Sequence, residues 1–491
     1  MGIFANPLTD LLEYEDFSRD FLKGTDPVGM TGCIDSEKVH FMSTFLGEKK
    51  VQLVVTYNEQ RAREIEEDYK LFCSQVYVIP PRDLIFFSAD LQGNAIIAER
   101  MKAFAALYQN EAKVIITTMD ALMSAAVPFE QLMSHVIKLK EGDELDLEKL
   151  KHDLTVMGYE RVGRVEEPGQ FTVHGGIADV YPLTMEVPVR IELWGDEIDT
   201  IRCFEPQSQR SMDQIECVSV FPAAEVIADD TARRRAAGMI QNELESQLAV
   251  FKKAKEPDKA KRLREETNRI LEALGEDVVL EAPDSYISYF YPRTVQLSEY
   301  FDEKNTLVFL DEPMRLKERG DGVQAEFEES MKNRLEQGFL LPGQTALLTP
   351  AKHVLAAFER GQVAALSSLD SRLADFTVVN SYAVNVQNMN TYREGFELLI
   401  KDLTHWKKEK YRIVLLCPSR TRANRIVNQL IEYDLLAYYS EDEDKKINPG
   451  EIMVTYGNLH RGFLYPMLKF AVITESDIFG VKKKKKEKKS H

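Results

Sequence analysis

The sequence is poor in cysteine: Cys33, Cys73, Cys203, Cys217 and Cys417 are its five. They lie far apart, are odd in number and include no Cys-x-x-Cys pair, so neither a disulfide framework nor a zinc site is indicated and reduced thiols are expected. Long apolar runs are missing as well. None approaches the ~20 residues that span a bilayer, so no membrane segment is expected. The opening Met1-Gly2-Ile3-Phe4 soon turns acidic at Glu13, Glu15 and Asp16, without the basic and then apolar pattern of a secretory signal. A surplus of positive charge is lacking too. The formal net charge of −18 argues against nucleic-acid binding over the whole surface, though a local basic patch remains open.

What is present is an ordinary globular composition, 44% apolar and 29% charged over 491 residues, long enough for roughly three to five domains. Val51–Thr56, Val76–Ile79 and Val114–Thr118 are apolar runs separated by helical patterns at Glu59–Phe72 and Ala95–Tyr108. This β–α rhythm predicts a parallel sheet. Near Val136 the pattern becomes antiparallel, and near Val220 it reverts. The expected divisions are 1–136 and 222–365 for an α/β domain, 137–221 for an insertion, 372–480 for a small α/β domain and 481–491 for a basic linker. The fold class is therefore multidomain α/β, with an inserted antiparallel α+β domain. Thr231–Leu274 predicts two helices broken near Pro257, as a coiled hairpin or a solvated charged face. Pro80–Asp90 predicts an aromatic-bearing loop, Ser419 an N-cap, and Arg420–Arg425 a basic helix start suited to a phosphate or to solvent.

Residues 166–204 hold four short alternating runs broken by Pro168-Gly169, Gly175-Gly176, Tyr181-Pro182 and Gly195-Asp196, the signature of a small antiparallel sheet. Alternation puts Phe171 and Val173 on one face and Thr172 and His174 on the other. It groups Ile191 with Leu193, and Arg190 with Glu192 and Trp194. With the aliphatic side as core, Arg190 and Trp194 stand in solvent together, the composition of an interface anchor.

Two stretches have the form of a damaged nucleotide site. Gly29-Met30-Thr31-Gly32-Cys33-Ile34-Asp35-Ser36 sits where a phosphate loop belongs. A working loop is Gly-x-x-x-x-Gly-Lys-Ser/Thr, with backbone N–H groups around the phosphates and a neutralising Lys. Aligned on Gly29, Ile34 replaces the second Gly and Asp35 the Lys; only Ser36 survives, and Lys38 lies two positions late. Thr306-Leu-Val-Phe-Leu-Asp311-Glu312 resembles a Walker B strand, whose carboxylates serve Mg²⁺ and water. Without the Lys, Gly29, Gly32, Asp35, Ser36, Asp311 and Glu312 form a vestigial site, and no ATP binding, cofactor, metal or catalysis is expected of this chain.

The residues Glu167-Pro168-Gly169-Gln170-Phe171, Gly175-Gly176-Ile177, Asp179, Tyr181-Pro182, Pro188-Val189-Arg190-Ile191-Glu192, Asp196-Glu197-Ile198, Ile201-Arg202 and Gln209-Arg210-Ser211 resemble the module shared by UvrB and the bacterial transcription-repair coupling factors. The resemblance covers essentially the whole chain, and the failed phosphate loop favours the coupling factors. It implies a helicase-like first domain, UvrA docking on the inserted domain, a bacterial cytoplasmic setting, and a chain that ends before the polymerase-binding domain and the motor. In the full protein it implies ATP- and Mg-dependent DNA translocation that removes stalled RNA polymerase. Carried over, the UvrA contacts fall on His174, Arg190 and Trp194. The family usually has Arg and Phe at the first and last; Trp keeps an aromatic, whereas His keeps a donor but little charge. Rival readings are a UvrB-like DNA-loading helicase and a non-catalytic nucleic-acid-binding protein acting through 481–491 and Arg420–Arg425.

Overall fold

The computed structural model describes residues 7–82, 91–276, 280, 283–370, 376–393, 395–442 and 445–480. The aromatic stretch 83–90 and the basic tail 481–491 therefore lie outside the described residues. Apolar runs such as Val51–Thr56 and Thr306–Asp311 are buried nearly throughout, as strands covered on both faces require. They sit in a seven-stranded sheet ordered Asn380–Ala383, Val28–Thr31, Val363–Ser367, Thr306–Asp311, Val51–Thr56, Val114–Thr118, Val76–Ile79, with every pairing parallel. Leu53, Val55, Val308 and Leu310 feed one core, and their neighbours Val54, Leu307 and Phe309 feed a second on the opposite face.

The insertion leaves and re-enters this domain through paired antiparallel strands, Ile137–Lys140 with Cys217–Val220. Between them is a six-stranded sheet ordered Ser211–Gln214, Glu197–Phe204, Val189–Trp194, Ile177–Val180, Gln170–His174, Glu160–Arg161, antiparallel except for the last pair. Phe171, Val173, Ala178, Val180, Ile191, Ile198 and Ile201 pack on Leu150 and Leu154 of the helix Leu147–Val156. Past the insertion, Glu225 is 4% exposed and accepts hydrogen bonds from the buried Arg100, which also donates to the carbonyl of Pro80 at 2.6 Å. The helices Asp230–Lys253 and Pro257–Gly275 form the expected hairpin.

The last unit is a mixed sheet ordered Gln387–Asn388, Phe463–Tyr465, Phe470–Thr474, Arg412–Cys417, Ile452–Tyr456, Ala437–Tyr439. One face carries the helices Phe396–Lys408 and Arg420–Glu432. The other contributes Val414, Leu416, Met453, Phe470 and Val472 to the second core of the large sheet. Two expectations change here. The strand Asn380–Ala383, assigned to the last unit by a boundary at 372, pairs instead with Val28–Thr31 in the large sheet, because an exposed edge strand gains a full ladder by joining it. Ser419 occupies the N-cap position, but its side chain makes no capping hydrogen bond.

Candidate functional site: an exposed hairpin end and a buried lysine–carboxylate network

Two hairpins of the inserted sheet end side by side. The turns Gly175-Gly176 and Gly195-Asp196 need a positive φ, supplied by Gly175 at 60° and Gly195 at 66°, and two-residue turns of this hand match the twist of the flanking strands. Register places Thr172, Asp179, Arg190 and Arg202 on one rung and His174, Ile177, Glu192 and Thr200 on the next. One step further, Trp194 faces Glu197, after a register shift that leaves Asp199 unpaired. Such a bulge sharpens the local twist and re-aims the tip. Trp194 is 84% exposed and Ile177 40%; His174 is exposed at the end of its strand.

Arg190 is placed differently from the sequence expectation of a cation in open solvent. It is half-buried, its Nε and Nη2 donate to Asp179 Oδ1 and Oδ2 at 2.8 and 2.7 Å, and its guanidinium lies 4.8 Å over the Phe204 ring. Hydrogen bonding to Asp179 raises its pKa further above the usual arginine range. The bidentate fork is thus engaged by the chain's own carboxylate, leaving the guanidinium oriented on the same outward face as Trp194. Asp179 was missed as a positioning residue. Its signal was present: on a polar face, an acid directly across from Arg190 forms a cross-strand pair.

Of the six residues expected to form a vestigial nucleotide site, Asp311 and Glu312 share one closed network, whereas the other four are held by separate contacts. Lys38, 3% exposed, donates to Asp311 Oδ1 and Glu312 Oε1, both at 2.6 Å. Thr56 donates to Asp311 Oδ2 at 2.8 Å, and Arg61 reaches the same oxygen at 3.4 Å. Burial by itself would raise the Asp311 pKa; Lys38 and Arg61 outweigh it and hold the carboxyl below its usual range. Asp35 opens the helix Asp35–Ser43 and pairs with Arg461 at 3.1 Å, while Ser36 accepts from the Arg461 N–H at 2.9 Å. Gly32, at φ 84°, is required by packing: a Cβ there would lie 2.0 Å from the Val384 carbonyl oxygen. Gly29 lies inside the strand Val28–Thr31. ATP and Mg²⁺ do not fit this arrangement. Both carboxylates already hold a buried ammonium, and the Ser that would meet the metal is bonded to the last unit. The sequence singled out Lys38 only as a misplaced loop lysine; its contact with Asp311 spans 273 positions and was not legible.

The same helix, Asp35–Ser43, is enclosed between the two sheets. Glu37 accepts from Tyr465 Oη at 2.6 Å and from the Ile34 N–H at 3.1 Å; His40 Nδ1 lies 3.2 Å from that tyrosine oxygen. Burial raises the Glu37 pKa to about 7. Asp68 accepts from the His460 N–H at 2.5 Å, and burial raises its pKa to about 6. Two of the three arginines at the basic helix start are paired: Arg420 is bidentate to Glu441 at 2.6 and 2.8 Å, and Arg422 pairs with Glu475, while Arg425 stays exposed with no ion pair among the described residues. Among the described residues no group of three or more His, Cys, Asp or Glu is arranged to hold a metal, and no helix is long and apolar enough to cross a membrane.

Comparison with known proteins agrees with this architecture. A profile described as the UvrB interaction domain matches residues 137–225, and one described as the MFD D3 domain matches residues 405–478. The transcription-repair-coupling factor of Bacillus subtilis (strain 168) is 28% identical over 491 residues, covering 99% of this chain and 41% of the relative. That of Staphylococcus epidermidis (strain ATCC 12228 / FDA PCI 1200) is 27% identical over 494 residues, covering 100% and 41%. The chain thus spans about two fifths of the length of these curated relatives. With its UvrB interaction domain and D3 domain in that order, it is similar throughout to the N-terminal 41% or so of the transcription-repair-coupling factors.

Proposed function

We propose that this chain is the UvrA-recruiting part of a coupling factor and performs no chemistry of its own. The observation that carries the reading is Trp194, a large aromatic 84% exposed on a hairpin end, with Arg190, fixed in orientation by Asp179, on the same face of the sheet two rungs away. Large apolar side chains left in water singly are common, but Trp and Arg are the residue types enriched among the few side chains that carry most of an interface's energy. His174 and Ile177 flank it on the adjoining hairpin. UvrA docks with the indole as anchor, and Asp179 keeps the Arg190 guanidinium aligned for it.

The partner expected from the resemblance is UvrA, in the bacterial cytoplasm. RNA polymerase, DNA and ATP-driven translocation belong to parts of the coupling factors outside the matched 41%. The helicase alternative lacks support because its nucleotide cradle is filled by Lys38. The nucleic-acid alternative loses Arg420 and Arg422, which are already paired, and rests on Arg425 and the basic tail 481–491 outside the described residues.

The test is a titration of this chain with UvrA by fluorescence anisotropy. Trp194→Ala is expected to weaken binding by about 2 kcal/mol or more, roughly 30-fold, with the melting temperature unchanged because so little of the indole is covered. Undiminished affinity overturns the proposal.

A further inference from the structure

The helical hairpin of Asp230–Lys253 and Pro257–Gly275 holds a second surface, independent of the UvrA reading. Its inner face is closed by Ile240, Leu244, Leu263 and Ile270. Near the tip, however, the two helices part around a cleft of about 550 Å³ floored by Leu248, Ala249, Pro257 and Ala260. Four exposed cations line it, Lys252, Lys255, Lys261 and Arg264, together with Glu256 and Glu265; Lys261 pairs with Glu265 at 3.8 Å, and the other three cations make no ion pair among the described residues. Others nearby have work in the fold: Lys259 pairs with Glu256 at 2.7 Å, and Arg262 donates to the Gln337 carbonyl and lies 4.6 Å over the Phe339 ring. Residues 252–264 carry seven Lys and Arg against two acids, a surplus of five in a chain of net charge −18. Because Glu256 and Glu265 are already paired with Lys259 and Lys261, the cations Lys252, Lys255 and Arg264 leave a positive rim around the apolar lining on an otherwise acidic molecule.

We propose that this cleft docks an acidic amphipathic helix of a partner protein. One or two apolar side chains enter between Leu248 and Ala260, and flanking carboxylates meet Lys252, Lys255 and Arg264. This is the helix-in-groove mode, in which anchors at helical spacing supply affinity and flanking charge supplies register. A nucleic acid fits less well. Phosphates would use the cations but not the apolar floor, and the lining offers no aromatic ring on which a base could stack.

The experiment uses the 491-residue chain and three fluorescent probes: a helical peptide of about 18 residues with Leu at i, i+3, i+4 and i+7 and Glu elsewhere, the same peptide with Lys for Glu, and a single-stranded DNA of about 20 nucleotides. The Glu peptide is expected to bind and the Lys peptide to fail. Lys255→Glu together with Arg264→Glu is expected to weaken the Glu peptide at least about tenfold. Ala249→Trp, which fills the cleft, is expected to weaken it comparably while the variants keep the parent's circular dichroism and melting temperature. The proposal is overturned if the Glu peptide does not bind, if both peptides bind alike, if the DNA displaces the peptide, or if the folded variants bind as the parent does.

Discussion

Replacing Lys38 by Met tests how much the buried ammonium between Asp311 and Glu312 contributes to the fold. The ammonium is the shared partner of Asp311 and Glu312, and it is buried with them. Removing one member of a buried pair costs about 3–5 kcal/mol, because a charge is left uncompensated. Arg61 still reaches Asp311 at 3.4 Å, and the Glu312 side chain retains 16% exposure. Both moderate the loss, which places the expected value near the lower end, about 3 kcal/mol. For a cooperative unit of about 280 to 490 residues that is a fall in Tm of roughly 3–5 °C. Differential scanning calorimetry of parent and Lys38→Met reads it directly. Lys38→Met with Glu312→Gln should recover about 1 kcal/mol, since the coupled carboxylate goes with its partner. A single variant that melts within about 1 °C of the parent would refute the reasoning, and would mean that the pair contributes nothing net.

The remaining predictions concern the same region. Titration of the chain with a fluorescent ATP analogue and Mg²⁺ should show no saturation, and Lys38→Met should not restore it, because Ile34 and Asp35 still occupy the loop. Gly32→Ala should cost at least about 2 kcal/mol in chemical denaturation, from a positive φ plus a Cβ in collision with Val384, whereas Gly29→Ala should be nearly neutral, its Cβ meeting only the Ser381 side chain at 3.4 Å and the Val378 side chain at the same distance; equal effects would contradict the packing explanation. Stability should also fall with rising pH at the joint between the large sheet and the last unit. Glu37 has a folded pKa raised from 4.5 to about 7, so its contribution is complete below pH 4.5 and is lost as pH climbs through 7. The change is on the order of 3 kcal/mol, and it should appear as a growing advantage of Glu37→Gln over the parent in urea denaturation; a difference that stays constant with pH would count against it.

Much of this protein was legible from local pattern. Alternation along Val189–Trp194 assigned faces correctly, since a period of two follows from strand geometry alone. It gave an outward Trp194 and an inward Ile191. Parallel strands at Val51–Thr56 and Thr306–Asp311 followed from continuous apolar runs, and the helix break near Pro257 from a missing N–H. The exposure of Arg190 was misjudged because alternation reports a side chain's direction but not what meets it there. Asp179 and Phe204 arrive from neighbouring strands and turn a solvent-facing cation into a half-buried, paired one.

The sequence by itself determined the kinds of layers, the faces of the inserted sheet and the absence of a lysine at position 35, because each is written in neighbours within a few positions. Only the tertiary structure decided that Lys38 would meet Asp311 and Glu312, that Arg461 would cover Ser36, and that Asn380–Ala383 would join the first sheet. Those contacts link residues hundreds of positions apart. Their energies depend on burial, which no local pattern specifies: an ammonium that would be ordinary in water becomes the fixed counter-ion of two carboxylates once packing has excluded the solvent.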